Sequence, residues 1–163
     1  MLDSFRNTRV IALSGVIAAL YIAVTAVIAP IAYGPIQLRL SEVLVLMAFI
    51  NPIYGYAVSI GVFISNLFGP IGWLDAIVGT SSTVLAVVLI SKTPSLLVAT
   101  IWPTITAALF VGPMLNHVYG LPLVPIIISV GIGQFIVLTC IGYPLFKMIL
   151  KNNAVYSILK AEK

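Results

Sequence analysis

Charge is the scarcest property of this chain. Only 7% of its 163 residues are charged, where a soluble domain carries about 25%. Between Arg9 and Lys147 there are four charged side chains: Arg39, Glu42, Asp75 and Lys92. Too few remain to cover a water-exposed surface. The net charge of +4 sits at the ends and in one turn rather than as a stripe, which excludes a nucleic-acid surface. One cysteine, Cys140, excludes an internal disulfide framework and a multi-cysteine metal site. It reads as a small apolar packing residue. One histidine, His117, leaves no metal cluster and no partner for a nucleophilic serine. No G-x-x-x-x-G-K-[ST] occurs, so the chain cannot cradle ATP alone. The sequence therefore describes no enzyme, no cofactor and no metal centre.

What is abundant is apolar sequence: 61% of residues are hydrophobic and the mean hydropathy is +1.21. Charge-free runs cover Val10–Leu38 (29 residues), Val43–Leu74 (32), Ala76–Ser91 (16) and Thr93–Phe146 (54). A helix needs roughly 20 apolar residues to span a bilayer. The expected architecture is an all-α integral membrane protein, with a single transmembrane domain over residues 1–163 built as a compact bundle of six helices in the bacterial cell membrane.

The first expected helix is Val10–Ala29, ended by Pro30 and Tyr33-Gly34-Pro35. Arg6 and Arg9 ahead of it mimic a signal peptide, but cleavage after Ala29 would meet Pro30, so it reads as a retained helix. Helix two, 40–50, is short: it meets Asn51-Pro52, and its roughly 11 residues reach only about 16 Å. Helices three to six are expected at 53–68, 72–90, 95–111 and 121–150, with Gly69-Pro70, Lys92-Thr93-Pro94 and Gly112-Pro113 as breaks. Arg6, Arg9, Lys92, Lys147, Lys151, Lys160 and Lys163 then share one side, against Arg39 on the other. Basic short loops face inward, so both termini are expected in the cytoplasm.

That topology sends Gln37, Arg39, Glu42, Asn66, Trp73, Asp75, Asn116, His117 and Tyr119 to the outer side. Arg39 and Glu42, three apart at the start of helix two, could pair on one face. A charge at the membrane centre costs at least about 2.5 to 3.5 kcal/mol, so the pair either pins the short helix or contacts a ligand. Asp75 has no basic neighbour within 15 residues. It requires Arg39 across the bundle, a cationic substrate or a proton, unless it only complements a helix N-terminus. Asn66 supplies donors and an acceptor, or links helices. Trp73 could stack on a flat ring or sit in the aromatic belt with Tyr33 and Tyr119. Gln134, at bilayer depth, is expected to hydrogen-bond across helices. In helix one, Gly15, Ala19 and Ala23 form a small-xxx-small stripe for close approach of another helix, in this chain or in another subunit.

Tyr33-Gly34-Pro35-Ile36-Gln37-Leu38-Arg39-Leu40-Ser41-Glu42 resembles the signature of the queuosine-precursor transporter (QueT) family. So do Ser65-Asn66-Leu67-Phe68-Gly69-Pro70, Gly72-Trp73-Leu74-Asp75 and Gly79-Thr80, and the resemblance covers Val10–Ile90. These are S components, the substrate-binding membrane subunits of energy-coupling factor (ECF) transporters. The resemblance implies capture of a small vitamin-like or deazapurine substrate from outside. It also implies a coupling membrane subunit (EcfT-type) and two cytoplasmic ATPases (EcfA-type) as partners, with Ala19-x-x-x-Ala23 as the contact motif for the coupling subunit. For a deazaguanine bearing an aminomethyl group, Glu42 and Asp75 would take the guanine-type edge and the ammonium. Gln37 and Asn66 would supply further donors and acceptors, Trp73 would stack, and the loops at Pro30–Leu40 and Phe68–Gly72 would close over the ligand. S components for pyridoxine or hydroxymethylpyrimidine share the fold. Outside that class, a proton-coupled carrier using Glu42 or Asp75 is the alternative, and a structural subunit of a larger complex comes after it.

Overall fold

The computed structural model describes residues 8–33 and 38–160. Among these residues every regular element is a helix. Helix α1 is Thr8–Val27, followed by the single turn α2, Ala29–Ala32. A 3-10 helix runs Leu40–Phe49, then α3 over Pro52–Leu67, α4 over Trp73–Ser91 and α5 over Leu96–Tyr119. Helix α6, Leu123–Phe135, passes through a π-helical stretch, Ile136–Gly142, into α7, Tyr143–Lys151. A last helix, α8, covers Asn153–Lys160. Four helical runs, Thr8–Val27, Trp73–Ser91, Leu96–Tyr119 and Leu123–Lys151, are long and apolar enough to cross a membrane; the 3-10 helix and α3 are shorter apolar helices.

Local chemistry explains most boundaries. Asn51 caps α3 by accepting the Ile53 N–H at 3.0 Å, and Pro52 takes the first turn, where its missing N–H costs nothing. Asn152 caps α8 in the same way, accepting from Ala154 and Val155. The end of helix five differs from the expectation at Val111. Helix α5 continues through Gly112-Pro113 and stops only at Gly120, whose φ of 65° is the left-handed cap that glycine favours. Proline interrupts one backbone bond but does not end a helix braced by neighbours, and Gly112 lies against Ile127 of α6, where a Cβ would come within 3.0 Å of the Ile127 Cα. Asn116, His117 and Tyr119 therefore ride on the last turns of α5 rather than in a loop. In the sixth helix, Pro144 cannot donate to the carbonyl of Cys140, and the π stretch just before it takes up that mismatch. Cys140 lies on that stretch with its side exposed rather than packed inside.

The second helix is not α-helical. With a 3-10 rise of about 2.0 Å per residue it extends roughly 20 Å, further than an α-helix of equal length. Its residues Ser41 to Val43 and Val45 to Ala48 are buried, so it is a central element that α1, α3, α4 and the π stretch enclose. Val45, Leu46, Tyr54, Val58, Val87, Val137 and Phe146 form the larger apolar core around it. That core also takes in Val10, Ile90, Ile149 and Leu159, which gathers the start of α1, the end of α4 and the C-terminal helices together. The Tyr54 hydroxyl fastens α8 by donating to the Leu159 carbonyl at 2.7 Å. A second core, with Ala107, Val111, Met114, Ile126 and Val130, joins α5 to α6.

Candidate functional site

Polar side chains are expensive in such an interior unless they pair, and the pairing here is specific. Arg39, the residue preceding the 3-10 helix, is buried, and its guanidinium reaches three partners. Nε donates to the Ala32 carbonyl at 3.2 Å, Nη1 to Asn66 Oδ1 at 3.0 Å, and Nη2 to Asp75 Oδ2 at 2.9 Å. Asn66 closes the triangle by donating from Nδ2 to the Asp75 backbone carbonyl at 3.1 Å. Asn66 and Asp75 are both fully buried. Three segments distant in sequence thus share one charged cluster.

The cradle depends on Gly79. A Cβ there would lie 2.5 Å from Asn66 Nδ2 and 3.4 Å from Asp75 Oδ1. Tyr33 covers the guanidinium, its ring centroid 5.1 Å from Arg39 Cζ, a cation–π distance. The Tyr33 hydroxyl donates to the Ser65 carbonyl at 2.7 Å, and its ring lies against Gly69. The end of α2 and the turn after α3 therefore touch above the cluster.

Glu42 does not pair with Arg39 as the three-residue spacing suggested. Arg39 stands outside the helix with φ −88° and ψ 89°, so its side chain leaves the face that Glu42 occupies. Glu42 Oε1 instead accepts from the Tyr21 hydroxyl at 2.7 Å, and Thr25 and Ser41 exchange a hydroxyl bond at 2.7 Å beside it. Both tie α1 to the 3-10 helix.

A cavity of about 20 Å³ adjoins these groups, room for a single water. Arg39 just before the 3-10 helix, Glu42 within it, Gly79, Ser82 and Thr83 of α4, and Gln134 of α6 line it. Pro103, Thr106, Ala107 and Val111 of α5 complete the wall. The Thr83 and Thr106 hydroxyls donate to backbone carbonyls of their own helices, which leaves oxygen lone pairs as acceptors. Asp75 Oδ1 and Gln134 Oε1 are buried without a hydrogen-bond partner. Gln134 thus departs from the cross-helix bond expected of it.

Of the sequence-expected residues, Arg39, Glu42, Asn66 and Asp75 come together. Gln37 lies outside the described residues. Trp73 is 68% exposed and makes an edge-to-face contact with the Phe63 ring, centroids 6.1 Å apart. Two positions before Asp75 on one helix, it points away from the cavity, because residues two apart do not share a helical face. Gly15, Ala19 and Ala23 are exposed on α1, so no other described part of the chain covers the stripe. Sequence reasoning passed over Tyr21, Ser82, Thr83 and Thr106, and it met Gly79 only as part of the family resemblance. No sequence signal marks the hydroxyl residues, which look like any polar residue in an apolar helix.

The sequence model of the QueT transporter family matches residues 11–151. The queuosine precursor transporter QueT of Lactococcus lactis subsp. cremoris (strain MG1363) is 49% identical over 70 residues, which is 42% of this chain and 41% of that relative. No solved structure matches this chain. With the family model matching most of its length and with helices of membrane-spanning length, this chain belongs to the QueT transporter family and is a multi-pass protein of the cell membrane.

Proposed function

We propose that this protein is the substrate-capture S component of an ECF-type importer and that its substrate is a queuosine precursor, a deazaguanine bearing an aminomethyl group. The observation that carries this reading is the buried acidic excess beside the cavity. Arg39 carries one formal positive charge, while Asp75 and Glu42 carry two negative ones, so the site holds a formal charge of −1. Burial of an uncompensated charge is costly, and a monocationic ligand relieves it. The orphaned Asp75 oxygen and the Thr83 and Thr106 lone pairs add acceptors for a ligand rich in N–H groups. Glu42 and Asp75 take the ammonium and the guanine-type edge by charge-assisted bonds, with Asn66 and Arg39 holding Asp75 in place. The relative that is named a queuosine precursor transporter supports the substrate assignment.

A cavity of about 20 Å³ is far below the roughly 300 Å³ of ordinary ligand sites, so binding requires the walls to part. Trp73 belongs at the outer rim, in the aromatic belt. The chain makes six passes, with its short second pass formed by the 3-10 helix, and both termini lie in the cytoplasm. Energy comes from an EcfT-type coupling subunit and two EcfA-type ATPases. The exposed Gly15, Ala19 and Ala23 stripe is the docking face for the coupling subunit, since small residues let two helices approach closely.

The test is titration of the protein purified alone in mild detergent with the aminomethyl-deazaguanine, together with native mass spectrometry for a retained small molecule. Tight one-to-one binding is expected. Binding of pyridoxine or hydroxymethylpyrimidine instead would keep the capture role and replace the substrate. Uptake that runs on a proton gradient without ATPases would overturn the ECF assignment in favour of a self-sufficient carrier.

A further inference from the structure

The wall of the cavity opposite in charge character to the acidic cluster is neutral, and one of its groups is unaccounted for. Gln134 sits on α6 two residues before the π stretch, with a relative exposure of 4%. Its Oε1 has no hydrogen-bond partner, although the side chain lines the cavity with Arg39 and Glu42. A buried amide oxygen left unpaired carries the full desolvation cost of that group, and an apolar residue of the same size would avoid it. The wall does not relieve it: Thr83 and Thr106 direct their protons to the Gly79 and Pro103 carbonyls, and neither Ser82 nor Arg39, which also line the cavity, makes a hydrogen bond to Oε1. Neither Glu42 nor Asp75 offers a proton when ionised. The donor that Gln134 lacks is therefore not supplied by its neighbours in the cavity wall.

We infer that Gln134 is a specificity-determining residue whose Oε1 accepts a neutral N–H from the substrate, namely the exocyclic amine of the deazaguanine ring. The assignment deepens the capture reading above and rests on it. Charge sorts the contacts. Carboxylates bind the ammonium and the ring N–H edge more strongly than an amide can. The exocyclic amine has two hydrogens: one goes to a carboxylate together with the ring N–H, and the second needs a neutral acceptor from another wall. Gln134 presents an amide oxygen there with no partner at all, whereas the Thr83 and Thr106 oxygens are already engaged as donors. A site built to hydrogen-bond a substrate group discriminates against analogues without it, because its own polar group is then left unpaired.

The experiment compares wild type with Gln134→Met and Gln134→Glu, each titrated with the aminomethyl-deazaguanine and with the same molecule lacking the exocyclic amine. Thermal unfolding in detergent checks that each variant folds. Gln134→Met is expected to bind the full ligand about tenfold more weakly, the factor that one hydrogen bond of about 1.4 kcal/mol represents. It should bind the amine-free analogue as wild type does. Gln134→Glu keeps an acceptor and should retain most of the amine preference, which also serves if Gln134→Met proves too unstable to titrate. Equal weakening toward both ligands, or an undiminished amine preference in Gln134→Met, would overturn the assignment while leaving the capture role intact. Failure of wild type to bind the full ligand removes the substrate reading and this assignment with it.

Discussion

Asp75 is the residue on which structure and ligand chemistry meet. It uses one oxygen on Arg39 and leaves the other unpaired. Asp75→Asn keeps an oxygen for Arg39 but removes the charge that a cationic ligand needs, so affinity for the aminomethyl-deazaguanine should fall tenfold or more, while the protein still folds; unchanged affinity by calorimetry would remove Asp75 from the site. Asp75→Ala should behave differently, because an uncompensated buried guanidinium costs about 3–5 kcal/mol, and thermal unfolding would separate the two variants. Gly79→Ala is expected to lower affinity by disturbing the Asn66–Asp75 contact, since its methyl would occupy the place of the Asn66 amide. The charged residues here were legible in the sequence because charge is so rare in these runs. Their pairing was not. Arg39 and Glu42 are three apart in sequence, and only the non-helical backbone at Arg39 reveals that one faces Asp75 and the other Tyr21.

At the scale of elements, the sequence marked where helices begin and end wherever proline and a cap residue coincide, as at Asn51-Pro52. It misplaced the end of α5 because Gly112-Pro113 carries the composition of a stop. The glycine is there for contact. Gly112→Ala should lower the unfolding temperature, in line with the roughly 1–3 kcal/mol typical of overpacking, because the added methyl would press on the Ile127 backbone. Gly131→Ala is the matched control: its methyl would meet Ala108 at an ordinary 3.6 Å, and the melting curve should hold its position. Nor did hydrophobic periodicity disclose the 3-10 helix. A segment that is buried on nearly every side has no polar face to report its pitch.

For the whole molecule, the question is which surfaces are left for others. Helix α1 is the least enclosed of the long helices, with 22% of its apolar window buried against 44% for α4. Ala19→Leu combined with Ala23→Leu should leave substrate binding by the isolated protein unchanged, yet abolish its co-purification with the coupling subunit and ATPases. Persistence of that complex would move the docking face elsewhere. A periplasm-dependent reporter fused after Lys163 should be inactive, and its activity would invert the membrane orientation proposed here.

By itself the sequence determined that the chain is helical and lives in a membrane. Apolar runs of such length leave backbone groups no partners except their own, and that inference needs only composition and order. It also determined which side chains are candidates, because a charge in an apolar run has to be held by something. Only the tertiary structure decided which candidates meet. The Arg39–Asn66–Asp75 cluster joins residues 27 and 36 positions apart, the orphaned Gln134 oxygen is defined by what its neighbours fail to donate, and Trp73 is turned outward by two positions on one helix. Those outcomes depend on distance and direction across the bundle, which a linear pattern does not carry.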